Sequence, residues 1–210
     1  MVIAVIQASS QSAKNKLIFE AVKASAKGHT VINFGRTEND SKSSYIQVSA
    51  AVGLLLASGS VDFVVTGCSS GQGMMLACNN MPTVLCGYIP TPMDAYLFAQ
   101  INNGNAVSLP LGEEYTYAGE RNLRETLDKL FSEPFGQGYP KSEAERKMQD
   151  TLMLKKIRKQ SQVSFTQLFD TLDESIAENV FDMTDVTDHV LKNGRDEQVT
   201  AWLNERLKNR

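Results

Sequence analysis

Histidine and cysteine are scarce in this chain, with two of the first and three of the second among 210 residues. Cys68, Cys78 and Cys86 do not form the even, closely spaced set of a disulfide framework. Their spacing matches no common zinc pattern either, with only His29 and His189 to help. The expectation is a reduced protein with no metal and no cofactor. Dense blocks of lysine and arginine are also missing. The 21 basic and 24 acidic residues leave a net charge of −3, which gives no reason to expect nucleic-acid binding. No apolar run approaches the length that spans a bilayer, so no membrane partner is expected. The stretch Met1-Val2-Ile3-Ala4-Val5-Ile6 lacks the charged start and cleavage signature of a secretory signal and reads as a first strand. A cytoplasmic location is the expectation.

Hydrophobic residues make up 42% and charged residues 21%, as in an ordinary globular protein. The length allows one sizeable core with an appended helical piece. Strand-like and helix-like patterns alternate over the first 130 or so residues. Strands are expected at residues 2–8, 30–34, 62–66, 83–87 and 106–109. Helices are expected at 14–26, 45–57, 71–79, 93–101 and 117–131. Five β-α units in series imply a three-layer αβα, Rossmann-like fold with a five-stranded parallel sheet. After Pro134 the character changes. Helices are expected at 142–159, capped by Ser142 with Glu145, and at 164–176, 184–192 and 196–207. Residues 135–210 therefore read as a helical extension on a core of residues 1–134.

The segment from Val61 to Pro82 carries the chemistry. A short apolar run, Phe63-Val64-Val65-Thr66, meets the small-residue turn Gly67-Cys68-Ser69-Ser70-Gly71-Gln72-Gly73, and an apolar helix follows at once. Such a turn gathers free backbone N–H groups and the positive end of a helix dipole at one point. A thiol there loses its proton more easily than a free cysteine, so Cys68 is a candidate base beside an anion site. The alternative is a buried cysteine in a tight turn. The glycine spacing fits neither the dinucleotide fingerprint nor the Walker loop. Ligands of such folds bind beyond the carboxyl ends of the strands, which also brings in Ser9, Ser10 and Arg36. Arg36, Lys141, Arg146 and Lys147 are candidate phosphate ligands as a group, and solvated surface charges singly. Asn102-Asn103-Gly104-Asn105 reads as a helix-ending turn whose amides are also candidates for sugar hydroxyls. His189 is far in sequence from the thiol, which leaves a Cys-His pair unsupported.

Val61-Asp62, Cys68-Ser69-Ser70-Gly71-Gln72-Gly73, Ala77-Cys78-Asn79-Asn80 and Asn102-Asn103-Gly104-Asn105-Ala106 together resemble the ribose-5-phosphate isomerase B family, which includes the galactose-6-phosphate isomerase subunits. The order of strands and helices over residues 1–132 fits too, and the tail resembles a longer, divergent branch. The resemblance implies aldose–ketose isomerisation of a phosphorylated sugar without metal or cofactor. It also implies a homodimer or homotetramer with active sites between subunits. Carried over residue by residue, Cys68 is the base that forms a cis-enediolate, the amides of Ser70, Gly71, Gln72 and Gly73 hold its oxygen, and Ser69 is a further substrate-binding candidate. Ser70 orients or shuttles a proton, and Asn79, Asn102 and Asn105 position hydroxyls or the loop. The departures are specific. Ser9-Ser10 stands where the family has Asp-His, Ile101 stands at the ring-opening histidine, and Leu85 at an arginine. Lys141 or Arg146 would have to replace the family's phosphate arginines. These losses motivate an alternative, a sugar-phosphate-binding or regulatory homologue without turnover.

Overall fold

The structure, a computed structural model, describes residues 1–37, 42–112 and 119–210. Five short strands form one parallel sheet: β1 (Val2–Val5), β2 (Thr30–Asn33), β3 (Phe63–Cys68), β4 (Cys86–Tyr88) and β5 (Ala106–Pro110), in the order β2-β1-β3-β5-β4. β3 lies at the centre and is buried along its whole length. A strand covered on both faces is apolar throughout rather than alternating, which is how Phe63-Val64-Val65 reads.

Side chains along each strand alternate between two helix layers. Ile3, Val5, Phe63, Val65 and Val107 pack with α1 (Asn15–Ser25), α4 (Pro92–Leu97) and α5 (Gly119–Leu130). Ala4, Ile6, Val64 and Cys68 face α2 (Tyr45–Ala57) and α3 (Gln72–Asn80). The three-layer expectation therefore holds. Residues 117 and 118, the start expected for the fifth helix, lie outside the described residues.

The tail consists of α6 (Ala144–Ser161), α7 (Phe165–Phe169), α8 (Glu174–Phe181), α9 (Thr184–Asn193) and α10 (Glu197–Lys208). Phe165, Phe169, Val180, Val186, Val190 and Leu203 join the same buried cluster as α2 and β3, so the tail thickens one core. Among the described residues no helix is long and apolar enough to cross a membrane.

Several local expectations are corrected. Residues 164–176 do not form one helix, because Asp173 caps a new one, its carboxylate accepting from the Ser175 amide at 2.9 Å. The Ser142–Glu145 capping box is not formed. The chain turns early in a 3-10 turn, Lys141–Glu143, closed by Glu143 N–H to Pro140 O at 2.9 Å, which places Ser142 inside it. Strand β4 begins at Cys86 rather than Thr83, whose φ of 70° is not extended. The helix expected at 93–101 changes at Phe98 into a π-helical turn, Phe98–Asn102.

One buried hydroxyl gives a stability prediction. Thr126 on α5 is fully buried, and its Oγ1 has no partner among the described residues. An unpaired buried polar group costs about 1–3 kcal/mol. Thr126→Val is expected to raise the urea midpoint by the equivalent of about 1 kcal/mol, and a fall in midpoint would contradict the geometry.

Candidate active site

The sheet order places the site. From β1 the chain moves outward to β2, and from β3 it moves the other way, so the reversal lies between β1 and β3. In such sheets the crevice at the carboxyl ends of those two strands is where ligands bind. Two turns meet there. One follows β1 and continues through a 3-10 turn, Ser9–Lys14. The other is the Cys68 turn. Gln11 donates from Nε2 to Ser69 Oγ at 2.9 Å across the crevice.

Cys68 ends β3 and is 7% exposed. Its carbonyl accepts from Leu111 N–H at 2.9 Å, and the Ser69 carbonyl accepts from Gly112 N–H at 2.8 Å. The chain then turns through Gly71, whose φ of 74° caps α3. The Gly71 carbonyl accepts from the fully buried hydroxyl of Ser108 on β5 at 2.7 Å, which pins the turn to the sheet. Gln72 N–H donates to Ser70 Oγ at 3.3 Å. The amides of Ser70, Gly71, Gly73 and Met74 have no acceptor among the described residues. Unpaired donors at the start of a helix, beside a thiol, suit a developing oxyanion.

Lys14 and Tyr45 at this crevice were not singled out by sequence reasoning, whereas the turn at Tyr88 was expected at this end of the sheet. The Lys14 ammonium donates to the Leu111 carbonyl and, at 3.0 Å, to the Gly112 carbonyl. Those two residues are paired to Cys68 and Ser69, so Lys14 is a cation fixed at the edge of the thiol turn. Only its place in the turn after β1 could have suggested this. The rings of Tyr45 and Tyr88 lie against Gly73 and Gly71 respectively. Neither histidine joins them. His29 pairs with the Met1 amino group at 3.2 Å, and His189 with the Ser60 carbonyl at 3.3 Å.

The sequence candidates divide. Cys68, Ser69, Ser70, Gly71, Gln72 and Gly73 come together as one turn. Ser9 lies at the same end of the sheet, its amide and Oγ both engaged with the Ser43 backbone at 3.0 and 2.7 Å, and exposed Ser10 follows it. Arg36 is already engaged within the fold. It is 5% exposed, donates to Phe34 O and pairs with Asp185 of α9 at 2.6 Å.

Asn79 is also engaged, with Oδ1 accepting from Cys86 N–H at 3.0 Å and Nδ2 donating to Cys86 O at 2.8 Å. Asn105 likewise holds Leu85 N–H at 2.7 Å and Thr83 O at 2.8 Å. Asn102 is exposed and precedes β5, so within one chain it sits at the end of the sheet opposite Cys68. Asn103 does adopt the left-handed helix-ending conformation, with φ of 46°. Lys141 and Arg146 lie where the chain runs beside the π-helical turn. Arg146 is paired with Glu143 at 2.7 Å and Asp150 at 2.9 Å. One chain does not bring either of them to the thiol.

A parallel αβα sheet with a crevice, a thiol and a helix start at its switch point is an arrangement that suits a small-molecule ligand. The particular family follows from comparison. The sequence pattern of the ribose/galactose isomerase family matches residues 3–149. The chain belongs to that family, and it is an isomerase of the aldose–ketose type.

Among solved structures, that of a 4-deoxy-L-threo-5-hexosulose-uronate ketol-isomerase complexed with a tartrate is 34% identical. The match has a TM-score of 0.94 and covers 99% of this chain and 100% of that one. A ribose-5-phosphate isomerase from Vibrio parahaemolyticus is 33% identical with a TM-score of 0.92, covering 98% of each chain. The type B ribose 5-phosphate isomerase of Trypanosoma cruzi, at 21% identity and a TM-score of 0.63 over 75% of this chain and 98% of that one, shares the fold. Curated proteins give no match. The first two alignments run through α7–α10, beyond the end of the family match.

Proposed function

We propose that this chain interconverts the aldose and ketose forms of an open-chain sugar with a terminal anion, phosphate or carboxylate, through a cis-enediolate with Cys68 as base. The observation that carries the proposal is a thiol at the switch point beneath a helix start where the amides of Ser70, Gly71, Gly73 and Met74 have no acceptor among the described residues. The Cys68 thiolate takes the hydrogen from the carbon beside the carbonyl. The electron pair moves onto the carbonyl oxygen, and the amides of Ser70, Gly71, Gly73 and Met74 stabilise the charge that develops. The thiol returns the proton to the neighbouring carbon. The Ser70 hydroxyl keeps its own hydrogen free while its oxygen accepts from Gln72, so it moves the proton between the two substrate oxygens. No net oxidant is needed, since the substrate oxidises one carbon and reduces the next.

The open-chain requirement rests on Ile101 and on the distance of both histidines from the turn, which leave no imidazole for ring opening within one chain. The terminal anion is assigned to Lys14, the fixed cation at the crevice. The two relatives with the higher identities bear different names, one for a uronate and one for a ribose phosphate. Both names describe anionic sugars. Side-by-side assays with 4-deoxy-L-threo-5-hexosulose uronate and ribose 5-phosphate test the proposal. Turnover of at least one supports it, and turnover of neither contradicts it.

Lys14→Met gives a separate expectation. Losing one charge-assisted contact of about 1.5–3 kcal/mol raises KM for the better substrate about tenfold or more. The turnover number changes much less, because the terminal group is bound equally in ground and transition states. A fall in kcat with unchanged KM would place Lys14 at the reacting carbons instead.

A further inference from the structure

We propose that a cavity at the amino-terminal edge of the sheet is a second binding site, taking a small organic polyanion and separate from the Cys68 crevice. The cavity measures about 660 Å³ and lies between α6, the turn before β4, the turn before β5 and the start of α10. That volume falls within the usual range of small-molecule sites.

One wall is cationic. Lys155, Arg158 and Lys159 project into the cavity from a single face of α6. Lys155 and Lys159 make no hydrogen bond or ion pair among the described residues. Arg158 donates to Asn79 O at 3.0 Å and to Val84 O, two neutral carbonyls that leave its charge uncompensated. Burial pushes the pKa values of Lys155 and Arg158 down, the direction expected of charges held without a counter-ion. The lining has one carboxylate, Asp196, and it is engaged. Its Oδ1 caps α10 by accepting from Gln198 and Val199 N–H, each at 3.0 Å. Like charges three and four residues apart on a helix repel. A bound anion is the partner this face lacks.

The facing wall is apolar, with Ala57, Leu85, Phe165 and Val199, so the ligand has a carbon body beside its charges. Thr83, also in the lining, has φ of 70°. A β-branched residue is strained there, and such strain is characteristic of ligand-binding positions. The cavity is not the far end of the Cys68 crevice. Val64 pairs with Ala106 and Cys68 with Pro110 in register, so the length of β5, about 13 Å, separates them.

Calorimetric titration of the full chain with pyrophosphate and, separately, with citrate tests the site. Saturable binding of either probe is expected. It should weaken about tenfold or more in Lys155→Gln/Lys159→Gln and stay unchanged in Lys14→Met. Preference for one probe then assigns a phosphate or a carboxylate ligand. Four results would overturn the proposal. These are no saturable heat with either probe, equal binding in the double variant, weakening only in Lys14→Met, and a changed subunit count in the double variant by sedimentation. The last would mean that the cations face a second copy of the chain.

Discussion

Cys68→Ala is expected to lower the turnover number about 10²–10⁴-fold, the contribution of a well-placed general base. The fold should survive. Cys68 ends β3 beneath α3, and its backbone contacts to Leu111 do not involve the sulfur. The amides of the turn and Lys14 remain in place, so KM should move little, the signature of an interaction made only in the transition state. Cys68→Ser keeps the size but replaces the thiol by a hydroxyl that does not ionise near neutral pH, and it should fall as far as alanine. A variant within a few-fold of the parent enzyme would transfer the base role to another group, with Tyr45 and Tyr88 the next side chains at the turn.

Gly71→Ala is expected to damage stability and activity together. At φ of 74° a side chain costs about 1–2 kcal/mol by itself. The added Cβ would also stand 2.8 Å from the Tyr88 ring, 2.9 Å from Leu109 C and 2.9 Å from Pro110 N. Two of those are main-chain atoms of the sheet and cannot swing aside. Overpacking of this kind adds about 1–3 kcal/mol. The turn must lift, which breaks the Ser108–Gly71 bond and scatters the amides to which the proposed function gives the oxyanion. Two controls separate the causes. Gly28→Ala has φ of 81° but nothing within 4 Å, so it isolates the conformational cost. Gly73→Ala meets only the Tyr45 ring at 3.4 Å, so it should be milder on both counts. Unfolding midpoints and turnover for the three variants give the ranking. A Gly71→Ala enzyme as stable as Gly28→Ala would contradict the close approach to β5.

Much of the architecture could be read from pattern alone. An all-apolar strand running into small residues and then a helix is unambiguous at Phe63–Asn80, and five such units leave a parallel sheet as the natural solution. The Cys68 turn was legible for the same reason, since everything it needs is local. The place of Asn79 was not legible, because the resemblance that names it does not give its contacts. Helix α3 carries it about 10 Å from Gln72, toward the other end of the sheet, where its amide splints β4. The ion pair of Arg36 was not legible because its partner, Asp185, lies 149 residues further along, in a helix that nothing near Arg36 announces. Lys14 was passed over because nothing in its neighbours distinguishes it. Its meaning comes from Leu111 and Gly112, which the fold brings to it from nearly a hundred residues away.

Hydrogen exchange at the substrate carbon tests the central claim most directly. Whichever anionic sugar the enzyme turns over is incubated in D2O, and the signal of the hydrogen beside the carbonyl is followed by NMR. The intact enzyme is expected to wash solvent deuterium into that position, and Cys68→Ala is expected to leave the signal untouched over the same period. Deuterium entering at the parent rate with Cys68→Ala would show that the proton is carried by some other group and would contradict the account.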